Sequence, residues 1–321
     1  MNKSVGTHLP RHQQDLMRRA VKLEWISIGY AVITVALVAL VVGNSQAMRT
    51  AWVEDILSVL PQLAFLVALQ FTRKTRQPKH PYGYHRSMGA GHLVAGVALL
   101  VVGAMLAYEA ATALVKIEHP TIGTLNLFGH TIWQGWLMMG VMTVIAAPAL
   151  VLGHLKIKVA KPLHNKLLFA DSKMAKADWQ TNAASVVGVA GIGLGLWWLD
   201  SVAALVISAG ILKDGWDSTK AATADLLDRR STSVNGVDPH PLIPKMDARL
   251  THLGWVRAGR VRVRELGQVQ HVEAFIVPET ATVTVEQIQN ARKTLEDMDW
   301  KVYDVVITVV PELPDFFDAS R

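Results

Sequence analysis

The run IGYAVITVALVALVV, residues 28–42, decides the fold class. It carries no charged side chain. With its flanks from 23 to 43 it reaches the roughly 20 apolar residues that a helix needs to cross the hydrocarbon core of a bilayer. Five further segments read the same way: 51–72, 88–115, 132–155, 176–198 and 199–220. The stretches LVAGVALLVVGAMLAYEAATALV (93–115) and WLMMGVMTVIAAPALVLG (136–153) are nearly as apolar as the first. The second, fifth and sixth carry Glu54, Asp55, Asp178 and Asp200. Only Trp198, Leu199 and Asp200 separate the last two, which predicts a tight helical hairpin with Asp200 in its outer turn. GVAGIGLGLWW (188–198) is too apolar and glycine-rich for a soluble helix.

Composition agrees. Hydrophobic residues make up 51% of the 321 and charged residues only 18%, too few to clothe a soluble core of this size. The net charge of +6 in a soluble protein would suggest nucleic acid. Here the positive residues lie between apolar runs, so no nucleic-acid partner is expected. Arg11, Arg18, Arg19 and Lys22 precede the first run, Arg73, Lys74, Arg76, Lys79 and Arg86 follow the second, and Lys156, Lys158, Lys161, Lys166 and Lys173 follow the fourth. The opposite connections hold little beyond Arg49 and Lys116. The positive-inside rule then puts both termini in the cytoplasm and an even number of spans across an inner (plasma) membrane. Residues 1–22 read as a cytoplasmic tail and 23–228 as a six-helix membrane domain. No cysteine exists, which excludes disulfides and thiolate metal sites.

Beyond Asp228 the pattern changes. RRSTSVNGVDPHP contains a polar linker at 229–238. The segment 239–313 reads as a small α+β domain of order αββαβ, with 314–321 as a tail. LIPKMDARLTHL has helical spacing. Val261 and Val263 alternate with Arg260, Arg262 and Arg264, a strand with one basic face. QVQHVEAFIV follows through a turn at Gly267, Thr284 and Gln287 propose a capping box, and KVYDVVITVV closes as a strand.

A carboxylate inside a bilayer costs roughly 2.5–3.5 kcal/mol on insertion scales, so a retained one points to function. Asp55 and Asp178 lie well inside their runs and read as a cation pathway; Glu54 and Asp200 read as interfacial. Oxygen donors without cysteine suit hard or borderline divalent cations. No nucleophile or protease-like motif accompanies the pair, so an enzyme is not read.

Several segments in order resemble the cation diffusion facilitator family of divalent-metal/proton antiporters. HPYGYHR (80–86) is similar to its signature after the second span, ADSKMAKADWQTNAASVVG (170–188) to its fifth-span pattern, and DLLDR (225–229) to the usual end of its sixth. The resemblance implies a metallochaperone-like cytoplasmic domain, a homodimer, transported divalent cation rather than bound cofactor, and coupling to protons. It implies a tetrahedral site from residue pairs four apart, which here become Asp55 with Val59 and Met174 with Asp178. Ser58, Gln62 and Asn182 are the nearby supplementary donors, and the family's loop site leaves His80 as its one strong ligand. Arg86 and Asp228 fall where the family carries a charge interlock between spans and tail. The altered pairs leave open a non-transporting scaffold or metal sensor of the same fold.

Overall fold

The structure, a computed structural model, describes residues 10–72, 74, 77–127, 130–234, 236 and 238–317. The first nine residues of the N-terminal tail and the last four of the C-terminal tail lie outside the described residues. The membrane part consists of α1 (Arg11–Val41), α2 (Gln46–Leu57), α3 (Val59–Thr72), α4 (Ser87–Val115), a hairpin of β1 (Thr124–Leu127) and β2 (His130–Trp133), then α5 (Gln134–Leu163), α6 (Lys166–Gly193) and α7 (Trp197–Leu226). The C-terminal domain follows as α8 (Leu242–Thr251), β3 (Val256–Leu266), β4 (Val269–Pro278), α9 (Val285–Glu296) and β5 (Val302–Val309).

Among the described residues, four stretches are long and apolar enough to cross a membrane: α1, α2 with α3, α4 and α5. The helices α6 and α7 are as long, at 28 and 30 residues. Each is charged at its tail-side half, α6 by Lys166, Asp171, Lys173 and Asp178 and α7 by Lys213, Asp214, Asp217, Lys220 and Asp225. The two pack against each other and, through α7, against α4. There the backbones touch: a Cβ on Gly215 would sit 2.7 Å from the Leu100 nitrogen, and one on Gly96 would sit 2.8 Å from the Thr219 nitrogen. Small residues are what permit such an approach between membrane helices.

Several boundaries differ from the sequence reading: α1 already begins at Arg11, inside the segment read as a tail, and α2 at Gln46 rather than 51. The fifth helix begins at Lys166, ten residues before 176, because Asn165 caps it by accepting from the Leu168 amide at 3.0 Å. His164, in the left-handed region at φ 50, ends α5 just before that cap. Lys156, Lys158 and Lys161 therefore belong to α5, and Lys173 to α6, rather than to a loop. The turn between α6 and α7 falls at 194–196, and Asp200 lies inside the first turn of α7. Asp200 is fully buried and caps a neighbour: Ser45 Oγ and the Gln46 amide donate to it at 2.6 Å each, and the Ala47 amide at 3.3 Å. Those are the orphan donors of the α2 N-terminus, which favours an anion.

The C-terminal sheet has order β3-β4-β5, antiparallel and then parallel. Val261 and Val263 are buried under α8 and α9 while Arg260 and Arg262 face out. Gly267, at φ +70, makes the β3–β4 turn. Thr284 and Gln287 form a reciprocal capping box at the start of α9.

Candidate functional site

The last turn of α2 and the middle of α6 supply the half-buried acids. Glu54, Asp55 and Asp178 lie within electrostatic range of one another, with Asp214 of α7 also in range of Glu54 and Asp178. The Thr181 hydroxyl of α6 stands near Glu54. Glu54 Oε2 and Asp55 Oδ2 are buried without a hydrogen-bond partner among the described residues. Tyr30 of α1 closes the group: its hydroxyl donates to the Ile145 carbonyl and stands in range of Asp55 and Asp178. Among the described residues, none of Glu54, Asp55 and Asp178 forms an ion pair, although the Lys156 ammonium is in range of Asp178.

The backbone explains the presentation of two adjacent acids. The helix is interrupted at Ser58, whose amide bonds the Glu54 carbonyl at 2.8 Å and whose hydroxyl bonds the Asp55 carbonyl at 2.8 Å. Pro61 follows, and its missing N–H cannot tie α3 back to α2.

The supplementary donors divide. Ser58 is turned to its own backbone. Gln62 is buried with Oε1 lacking a partner among the described residues, and Asn182 is buried one turn beyond Asp178. Met174 packs against the apolar cluster of the bundle. His80 lies apart from all of these, exposed on the 77–86 loop with its ring 4.5 Å from that of Tyr84. Among the described residues, no three His, Asp or Glu side chains stand close enough to hold an ion together. The acids form a loose, partner-poor group rather than a closed chelate.

A second charged cluster joins the helices to the sheet domain. Arg86 pairs with Asp228 and donates to the Leu226 carbonyl at 2.9 Å, and Arg264 of β3 holds the other Asp228 oxygen at 3.0 Å. Deeper in, Lys166 bridges Glu265 at 2.6 Å and Asp225 at 3.1 Å. His164 Nε2 lies 3.5 Å from Glu265, and Ser231 Oγ donates to Glu265 at 3.1 Å. Burial pushes Glu265 up, but the His164 hydrogen bond and the Lys166 charge outweigh it and hold the carboxyl below its usual range. Burial, then the charges of His164 and Lys301, push His240 down to about 4. His85 packs on Tyr303 of β5 at 4.7 Å between ring centroids.

Sequence reasoning read Glu54 as interfacial and passed over Tyr30, Asp214 and Glu265. Glu54 carried a signal, being an acid in an apolar run, but its neighbour Asp55 took that role. Glu265 carried none, since a strand residue gives no hint that a lysine on a distant helix end will meet it.

The sequence profile of the cation efflux transmembrane domain matches residues 25–227. The chain is similar to the uncharacterized transporter YdbO of Bacillus subtilis, 26% identical over 89% of this chain and 93% of that protein. It is similar to the manganese efflux system protein MneS of the same organism, 22% identical over 77% of this chain and 79% of the relative. It is also similar to the cation-efflux pump FieF of Shewanella oneidensis, 20% identical over 68% and 69% of the two chains.

Proposed function

The chain belongs to the cation efflux family, and on that premise we propose that it exports a divalent metal cation in exchange for protons. The observation that carries the proposal is the group of Glu54, Asp55 and Asp178, acids in a helical membrane domain with no ion-pair partner among the described residues. A transported cation is what such a group lacks. Asp55 and Asp178 are the principal ligands, Glu54 and Asn182 assist, and carboxylates that release metal are free to take up protons. With oxygen donors, and with Met174 and Val59 where the family places further ligands, a hard cation such as Mn2+ fits better than a nitrogen- or sulfur-seeking one. Two relatives are named for manganese efflux. In this reading α6 and α7 complete six spans, the lysines and arginines hold both termini in the cytoplasm, the membrane is the inner one, and the working unit is a homodimer. His80 is a loop residue with at most an auxiliary role in metal delivery, and Arg86 with Asp228 fastens the spans to the sheet domain.

Purified protein in proteoliposomes tests this. An inward Mn2+ gradient should drive Mn2+ uptake and a simultaneous outward movement of protons, both read by enclosed dyes. Protein that moves neither Mn2+ nor any other divalent ion, while folded, would sink the transport reading and leave the scaffold.

A further inference from the structure

Lys156, on the tail-side half of α5, is 1% exposed at its side chain. Its ammonium lies 3.1 Å from Glu24 Oε2 of α1 and also holds Asp171 Oδ2 of α6, partners that are 0% and 5% exposed. The other Glu24 oxygen is buried with no partner among the described residues. The surroundings are apolar: Met17, Ala20, Phe65, Val159, Ala160 and Leu168 belong to the buried cluster of this end of the bundle. A buried ion pair gains little over an apolar packing of the same volume. Stability therefore gives a poor account of it.

Position gives a better one. Asp171 and Asp178 are seven residues apart on α6, two turns, so they share a face about 10 Å apart along the axis. The charges of Asp171 and Lys156 are felt at Asp178. Asp171 is also nearer the tail-side end of α6, where Lys166 begins the helix. A cation moving along this face from the tail side meets Glu24 and Asp171 before it meets Asp178.

On the reading of this chain as a cation exporter, we infer that Glu24 and Asp171 form a second divalent-cation station, and that Lys156 is a tethered cation filling it in this conformation. Metal reaches Asp178 by displacing the ammonium, and the ammonium returns once metal has moved on. The tether keeps two facing carboxylates from being left empty between cargoes, and it stitches α1, α5 and α6 together while no metal is present.

The test is binding, so it does not depend on transport. Mn2+ bound to detergent-solubilised protein is counted by equilibrium dialysis. Lys156→Met should bind one Mn2+ more per chain than the wild type. That extra ion should vanish in Lys156→Met/Glu24→Gln/Asp171→Asn. Equal stoichiometry in all three proteins overturns the inference, even if Asp178 proves essential for flux. Should Lys156→Met fail to fold, Lys156→Met/Glu24→Gln, which keeps one carboxylate, replaces it. Weaker but measurable extra Mn2+ against the triple variant then supports the station, and none overturns it. A wild type that moves no metal, with the extra site still present in Lys156→Met, would sink the transport reading and keep the site.

Discussion

Glu54, Asp55 and Asp178 inside the bundle and the carboxylates at the junction with the sheet domain live in opposite surroundings. Asp225 meets Lys166 and Arg229, Asp228 meets Arg86 and Arg264, and Glu265 meets Lys166, His164 and Ser231. Glu54, Asp55 and Asp178 meet one another instead, with a threonine hydroxyl near the first. The chain has lysines and arginines to spare, yet places them two turns away or at the junction. The junction carboxylates are met by fixed charges that hold the two parts together. A carboxylate left unpaired in a low-dielectric interior is costly to keep, which is what the transport proposal above accounts for.

The strongest break of this comparison is neutralisation. Asp178→Asn or Asp55→Asn should bring Mn2+ flux in proteoliposomes to background while leaving the melting temperature unchanged or higher, because an uncompensated buried charge is removed. Glu54→Gln should act in the same direction with a smaller loss of flux, since the Thr181 contact survives in part. A drop of many degrees in any of the three would place these acids with the structural carboxylates of the junction.

At the junction the opposite is expected. Glu265→Gln leaves the Lys166 ammonium with Asp225 alone and takes the charged acceptor from His164 and Ser231. Loss of charge-assisted hydrogen bonds here should cost about 2–3 kcal/mol. Thermal melting of the solubilised protein reads this, and unchanged stability would show that Asp225 suffices.

The contrast between the two regions also tracks what the sequence made legible. The apolar runs announced themselves because a span is a matter of length and transfer free energy, both local. Asp55 and Asp178 stood out for the same reason, as acids inside such runs. Glu54 stood beside them but read as interfacial, because adjacent residues on a straight helix point about 100° apart and only one is expected to face a given neighbour. The interruption at Ser58 and the enclosing face of α6 bring both in, and neither is visible in composition. Lys156 was hidden by the rule that oriented the chain, which counts lysines near span ends as loop charges. Its partners are 132 and 15 residues away, a separation that no periodicity reports. The hairpin position failed on Asp200, whose true partners are helix-end amides, a need that belongs to α2 and not to its own neighbourhood.

Acid sharpens the comparison further. His240 ionises near 6.5 when unfolded and only near 4 when folded, so between these values the unfolded chain binds the extra proton. Stability should therefore be flat above about pH 6.5 and fall as pH is lowered toward 4. Glu265, held below its ordinary 4.5, contributes stability that is complete above 4.5 and lost as pH falls through the depressed value. Melting temperature against pH should show both phases, and Glu265→Gln should remove the lower one while extending the His240 phase, since the Glu265 charge favours protonated His240. A profile flat down to pH 4 would mean that His240 takes up its proton without disturbing the junction.

The smallest effect belongs to the outermost pair. Arg86 and Asp228 are 43% and 40% exposed at their side chains, and exposed ion pairs contribute about 0–1 kcal/mol. Asp228 sits at φ 59, a conformation that aspartate tolerates better than most side chains, so its replacement by alanine carries a backbone penalty unrelated to Arg86. A single substitution thus misstates the pair, and only a double-mutant cycle isolates it. Asp228→Asn keeps the backbone preference while removing the charge, so the cycle uses Arg86→Gln and Asp228→Asn. Coupling of up to about 1 kcal/mol in the melting of the solubilised protein is expected, since Arg264 still holds Asp228 when Arg86 is gone and the Leu226 carbonyl still receives a donor when Asp228 is neutral. Strictly additive losses would show that the pair does no fastening and that the deeper Lys166–Glu265 contact alone joins the helices to the sheet. A coupling well above 1 kcal/mol would place Arg86 and Asp228 among the buried junction charges, with bilayer or a second chain covering a surface that is open in one chain by itself.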